Sequence, residues 1–311
     1  MDGTQGYKYL GIIENSKSED TGETAEKIKV ELLARVERLC KTKLNGKNLF
    51  RAINEHAISL VNYYIGVLKI MPVDFAGLDE EIRLILTKNK IHFVPSCKER
   101  LYLPRTEMGR GLCSVEQRSE QMLLQLKTQF EKDRHRSIQR ATILSVEKKK
   151  SSHLALIIPY LSNKYNIGHL KIELLILLDA QKKYLYNKIK DKTLHSKLYK
   201  CAENLLVDCE ASSLWLKKGN IKARDEAALC FFQDRNLFYG KKSNCPHCKS
   251  AMKTVDHLAN RCDRMLAFDY TRRHNEIVRC IYLLMCLKYG LKSSKKIRNH
   301  SWQEIVCNEE V

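Results

Sequence analysis

Between Cys245 and Cys262 the chain reads CPHCKSAMKTVDHLANRC. Cys245 and Cys248 stand two residues apart, and His257 precedes Cys262 by four. A Cys-x2-Cys turn presents two thiolates from one knuckle, and His-x4-Cys sets the other two ligands about one helical turn apart. Three cysteines and one histidine make the closed shell of a structural zinc site, and a metal held this way ties four points of the chain together. Lys241, Lys242, Lys249, Lys253, Arg261 and Arg264 surround it, as a module built for a polyanion requires. The other cysteines are scattered, mostly in apolar surroundings, and read as small core residues.

The rest of the chain reads as helical. Among 311 residues there are only 5 Pro and 13 Gly, with abundant Leu, Ile, Lys and Glu. Apolar residues make up 44%, enough for a sizeable core and too many for a disordered chain. No apolar run approaches a membrane span, and the start lacks the pattern of a signal peptide. The expected setting is therefore the inside of the cell, with reduced thiols and no membrane partner. The net charge of +19 is concentrated in two places. Residues 132–200 hold 16 Lys/Arg against 5 Asp/Glu, and residues 235–300 hold 15 against 4, so each carries +11. The remainder holds 24 against 27, a net of −3. One basic region coincides with the predicted zinc site, which points to nucleic acid as the partner.

Tyr7 to Ile13 reads as a short strand, and a strand so close to Met1 leads us to expect its partners upstream. Helices are expected over residues 23–45 and 48–70, stopping at Asn45-Gly46 and before Pro72, and from Leu78 to Lys88. Gly109-Arg110-Gly111 predicts a turn that brings backbone close to another group. Ser114 to Gln117 has the form of a capping box opening a helix with Leu123, Leu126 and Phe130 inward. Residues 132–200 read as basic helices with an apolar core of Leu170, Ile172, Leu174, Leu175, Leu177 and Leu178. Trp215-Leu216-Lys217 reads as extended, Arg224 to Asn236 as a helix, and residues 268–289 as a basic helix. The fold class is mainly α. His135 and His274 read as surface or capping residues, not as general bases.

Several of these stretches, in this order, resemble the C-terminal part of site-specific non-LTR retrotransposon reverse transcriptases. Lys8-Tyr9-Leu10-Gly11 resembles the strand after the polymerase palm. Leu103-Pro104-Arg105, Gly109 and Gly111-Leu112 resemble a block of the thumb. Trp215-Leu216, Glu226 and Gln233-Asp234 resemble the linker that leads to the CCHC zinc knuckle, and Cys245, Cys248, His257 and Cys262 resemble the knuckle itself. Arg273-His274-Asn275 resembles the first helix of the restriction-like endonuclease. The resemblance implies the end of the palm over residues 1–20, a thumb-like helical domain over 21–135 and a basic helical region over 136–213. It further implies a linker over 214–240, the knuckle over 241–266 and an incomplete endonuclease-like domain over 267–311.

Both catalytic centres of that family are missing. The polymerase needs a pair of adjacent aspartates to hold two divalent ions, and this chain has no Asp-Asp. The nuclease needs a Pro-Asp, which is also absent. The resemblance thus implies a fragment that grips an RNA template and a DNA target during target-primed reverse transcription. One structural zinc is expected, and magnesium would belong to the absent catalytic domains. The expected phosphate contacts are Arg105, Arg110, Lys148, Lys149, Lys150, Lys241, Lys242, Arg264, Arg272 and Arg273. The alternative is a stand-alone zinc-knuckle adaptor derived from such an element.

Overall fold

A computed structural model describes residues 7–9, 12–15, 18–19, 21–66, 68, 70–132, 153–168, 172–200, 208–235, 244–266 and 270–291. The chain packs as two units, Met1–Asp234 and Arg235–Val311, and the described residues are mainly helical. No helix among them is long and apolar enough to cross a membrane.

The first unit opens with strands β1 (Tyr7–Tyr9), β2 (Ile12–Asn15) and β3 (Ser18–Glu19), paired antiparallel in that order. Tyr9 pairs with Ile12, so the single strand expected over residues 7–13 is a hairpin and finds its partner downstream. Helix α1 (Thr21–Cys40) ends earlier than predicted. Asn45 does not stop it; it caps α2 (Gly46–Ala52), its side-chain oxygen accepting from Asn48 N at 2.9 Å.

The helix expected over 48–70 is broken into α2, a π turn (Ile53–Ile58) and α3 (Ser59–Ile65). Asn54, inside the wide turn, bridges to a distant loop. Its amide donates to the Gly111 carbonyl and its oxygen accepts from Cys113 N, both at 2.8 Å. Such turns occur where a helix must re-aim a functional side chain.

Helix α4 (Ala76–Lys88) carries Asp79, which is 5% exposed. Its carboxylate accepts from Ser114 Oγ (2.6 Å), Val115 N (2.8 Å) and Glu116 N (3.3 Å) at the start of α5 (Val115–Lys132). Ser114 Oγ also accepts from Gln117 N at 3.2 Å, as predicted. The helix is therefore capped twice, once by its own sequence and once by a carboxylate from another helix, where an anion is favoured.

The core of this unit gathers Leu32 and Val36 of α1, Ile53 and Val61, Leu86 of α4 and Leu123 of α5, with others of the same spacing. Helix α6 (His153–Tyr165) runs antiparallel to α5, because Lys164 near its end reaches Glu116 and Glu120 near the start of α5, at 2.5 Å each. Helix α7 (Leu174–Lys190) turns Leu177, Gln181, Leu185 and Ile189 inward. These lie four residues apart, so Leu175 and Leu178 fall on the other face and are 76% and 40% exposed. The apolar core expected across Ile172 to Leu178 is thus only partly internal; Ile172 and Leu177 join it. Leu170 lies outside the described residues.

Beyond α8 (Ser196–Lys200) come α9 (Cys209–Ser212), α10 (Leu214–Lys217) and α11 (Ala223–Gln233). Trp215 to Lys217 is a helical turn, not an extended stretch, with Lys217 N bonded back to Ser213 O at 3.0 Å. The segment read as a linker is woven into the first helices: Gly46 N donates to Ile221 O at 2.8 Å, and Asn45 pairs with Asn220.

The second unit contains α12 (Val255–Asn260), α13 (Asp263–Met265) and α14 (Thr271–Lys288). The last is the basic helix expected over 268–289. It ends on Gly290 at φ 71, with Leu291 N donating to Cys286 O (2.8 Å) and Gly290 N to Leu287 O, the pattern of a left-handed glycine cap.

Candidate metal centre

The chain before Cys245 and after Cys248 folds back on itself. Asn244 bridges antiparallel to Met252, Cys245 N donates to Ala251 O at 2.8 Å, and Lys249 N donates to Cys245 O at 2.9 Å. Lys249 adopts φ 60, which lets this short loop close. The two thiols thus leave one tight turn. The other two ligands come from α12 and its end. Thr254 caps the helix, its hydroxyl accepting from His257 N at 3.0 Å, and this fixes His257 in the first turn. Cys262 N then donates to His257 O at 2.8 Å, which brings the fourth ligand back beside the third.

The ligand atoms of Cys245, Cys248, His257 and Cys262 all lie within 4.8 Å of one another. Cys245 Sγ and Cys262 Sγ are 3.6 Å apart, and Cys248 Sγ is 3.3 Å from His257 Nε2. A tetrahedral ion with metal–sulfur bonds of about 2.3 Å would set its sulfurs roughly 3.8 Å apart, so the cage has the size of an ion and not of a disulfide. The four residues can hold a metal ion, and the donor set is compatible with one structural zinc. Ser250 Oγ lies 3.2 Å from the Cys248 sulfur, and its hydroxyl and backbone N–H pull that thiol down to about 5. Donors aimed at a sulfur favour the thiolate, which is the form that binds metal.

The basic residues around the cage divide by exposure. Lys249, Arg261 and Arg264 are exposed and Lys253 is half-buried. On α14, Arg272 is exposed, while Arg273 is half-buried and donates to Ala259 O at 2.6 Å, pinning α14 to α12. Residues 244–266 and 270–291 hold eight Lys/Arg against three Asp/Glu. Lys148, Lys149, Lys150, Lys241 and Lys242 lie outside the described residues.

Arg105 and Arg110, expected as phosphate contacts, have another role. Arg110 is 2% exposed and donates through Nε to Glu226 at 3.0 Å and through its terminal nitrogens to the Ile91 and Ala223 carbonyls. Its guanidinium also lies over the Phe50 ring, 4.5 Å from the centroid. Arg105 donates to Leu216 O and Arg110 O, both at 2.8 Å, and to the second Glu226 oxygen. A buried arginine whose fork is engaged in this way is held by the fold and not offered to a phosphate. The glycines serve the same cluster. A Cβ on Gly109 would lie 2.0 Å from Leu103 O, and one on Gly46 would lie 2.4 Å from the Glu226 carboxylate. The close approach predicted for the Gly-Arg-Gly turn is real, but its target is the protein's own backbone.

Arg100 is the residue that sequence reasoning missed. It is 1% exposed, bonds Met108 O (2.8 Å), Cys230 O (3.1 Å) and Asp234 (3.0 Å), and also reaches Gln233. Asp234 completes the knot by accepting from Cys97 N at 2.9 Å. Only its place beside the Leu103-Pro104-Arg105 block could have hinted at it. Of the described cysteines outside the cage, Cys97, Cys230 and Cys286 are buried, Cys40, Cys209 and Cys280 half-buried, and Cys113 exposed. No protein-family model matches this chain, and no curated protein matches it.

Proposed function

We propose that this chain binds nucleic acid through a zinc-stapled basic module, in the manner of the linker and knuckle of non-LTR retrotransposon reverse transcriptases. In this reading it grips template–primer and target DNA and performs no phosphoryl transfer of its own, having no Asp-Asp and no Pro-Asp. The observation that carries the reading is the four-ligand cage set among exposed Lys249, Arg261 and Arg264, with Arg272 on the adjoining helix. The blocks quoted for the resemblance, Leu103 to Gly111 and Glu226 to Asp234, lie more than a hundred residues apart and join through Arg105 and Arg110, while Arg100, just before the first block, bonds Asp234. The linker motif therefore acts by holding the first unit together, and the contacts with nucleic acid that the described residues offer are the exposed cations beside the cage.

The test is fluorescence anisotropy of labelled RNA and DNA with the zinc-loaded chain. Each phosphate neutralised adds about 0.9 to the fall of log affinity per log salt on duplex DNA, so four or more contacts give a slope steeper than about −3. A flat response between about 50 and 200 mM salt would reject the proposal.

A further inference from the structure

We infer that Tyr270, at the leading edge of α14, is a stacking platform for an unpaired base, so that the second unit takes single-stranded nucleic acid by preference. This deepens the nucleic-acid reading above and rests on it. Tyr270 stands at the start of α14 in helical backbone, makes no side-chain capping bond to the helix, and is 49% exposed. The ring lies nearly parallel to the imidazole of His274, one turn on, with 26° between planes and 6.5 Å between centroids. Residues four apart share a helix face, so the backbone itself holds the two rings in register. An aromatic residue this exposed is outside the core and available to a planar ligand.

The surroundings suit one kind of planar ligand. Arg272 is exposed next to this pair in sequence, Arg264 is exposed on α13, and the described part of the unit has eight cations to three anions. Arg273 fixes the start of α14 to the carbonyl of Ala259, two residues from the ligand His257, so the platform is built onto the metal module. A polyanion carrying exposed rings satisfies both features, and a nucleic acid exposes its base faces only where the strands are apart. Duplex DNA hides them in the stack and would engage only the cations. Stacking is indifferent to base identity, so little sequence preference is expected from it.

The experiment compares a single-stranded oligonucleotide with the duplex of the same sequence, using the full zinc-loaded chain. Tyr270→Ala should weaken single-strand binding about tenfold and leave duplex binding unchanged, while Tyr270→Phe, which keeps the ring, should bind both like the parent. Independently of any variant, ultraviolet cross-linking of a 5-iodouracil oligonucleotide to the parent chain should map to Tyr270. Single-strand affinity unchanged in Tyr270→Ala, with cross-links elsewhere, overturns the inference and leaves the nucleic-acid reading standing. Equal losses on both ligands overturn it too. A parent chain that binds neither ligand in a salt-sensitive way overturns both.

Discussion

At the scale of single residues, the first unit depends on charges buried in pairs. Glu226 is 2% exposed and accepts from Arg105 and Arg110 on its two oxygens, under the backbone of Gly46. Removing one partner of a buried pair leaves an uncompensated charge and costs about 3–5 kcal/mol. Glu226→Ala should therefore lower the unfolding free energy by roughly that amount in urea titrations, with zinc content unaltered. His92 makes a second prediction. It is 6% exposed, and burial, with Arg110 and Arg83 close by, pushes its imidazole down to about 3. The folded chain holds it neutral while the unfolded chain takes up a proton below about 6.5, so its contribution is fully present above that pH. It is lost at about 1.4 kcal/mol per unit as pH falls from about 6.5 towards 3. Denaturation midpoints measured across that window should fall less steeply in His92→Gln than in the parent.

At the scale of elements, the candidate metal centre is a short turn, two short helices and a cage of four side chains. Nothing in α12 or α13 is long enough to be stable alone, since isolated helices under about a dozen residues are marginal in water. A metal bound in the cage would supply the missing free energy, as it does in small zinc modules. Cys248→Ser should release the ion, seen as zinc well below one per chain by atomic absorption, and amide exchange over residues 244–266 should quicken. Exchange in α5 and α11 should stay as in the parent. The ends of the elements were less legible than their existence. Thr254 as a cap and the glycine-terminated end of α14 follow from local chemistry. The π turn does not, because Asn54 widens the helix to reach Gly111 and Cys113, partners far along the chain.

At the scale of the whole molecule, buried and exposed arginines play different parts. The buried arginines of the first unit are neutralised by Glu226 and Asp234, whereas Arg264 and Arg272 of the second unit are exposed. Arg264→Ala combined with Arg272→Ala should therefore reduce the salt slope of DNA binding by about two phosphate contacts, without changing thermal stability. Arg110→Ala should do the opposite, lowering stability by about 3–5 kcal/mol; wherever the protein remains folded, it should leave the slope as it was. Measuring melting and salt dependence on the same samples distinguishes the two kinds of arginine.

What the amino-acid sequence determined by itself was local. Ligand spacing marked the cage, because two residues between thiols and four between imidazole and thiol are constraints of a few bonds. Helical periodicity marked most helices, because one face must meet a core. What only tertiary structure decided was which arginines face water. Arg105 and Arg110 read like Arg264 and Arg272 in the chain. Glu226, more than a hundred residues away, turns the first pair inward by offering a carboxylate where burial would otherwise forbid a guanidinium. The same is true of Trp215 to Leu216, helical because it docks beside Arg105, and of Leu175 and Leu178, left outside because α7 can turn only one face to α5. Spacing along a chain fixes what neighbours can bind together; burial is settled by distant partners, and no local pattern encodes them.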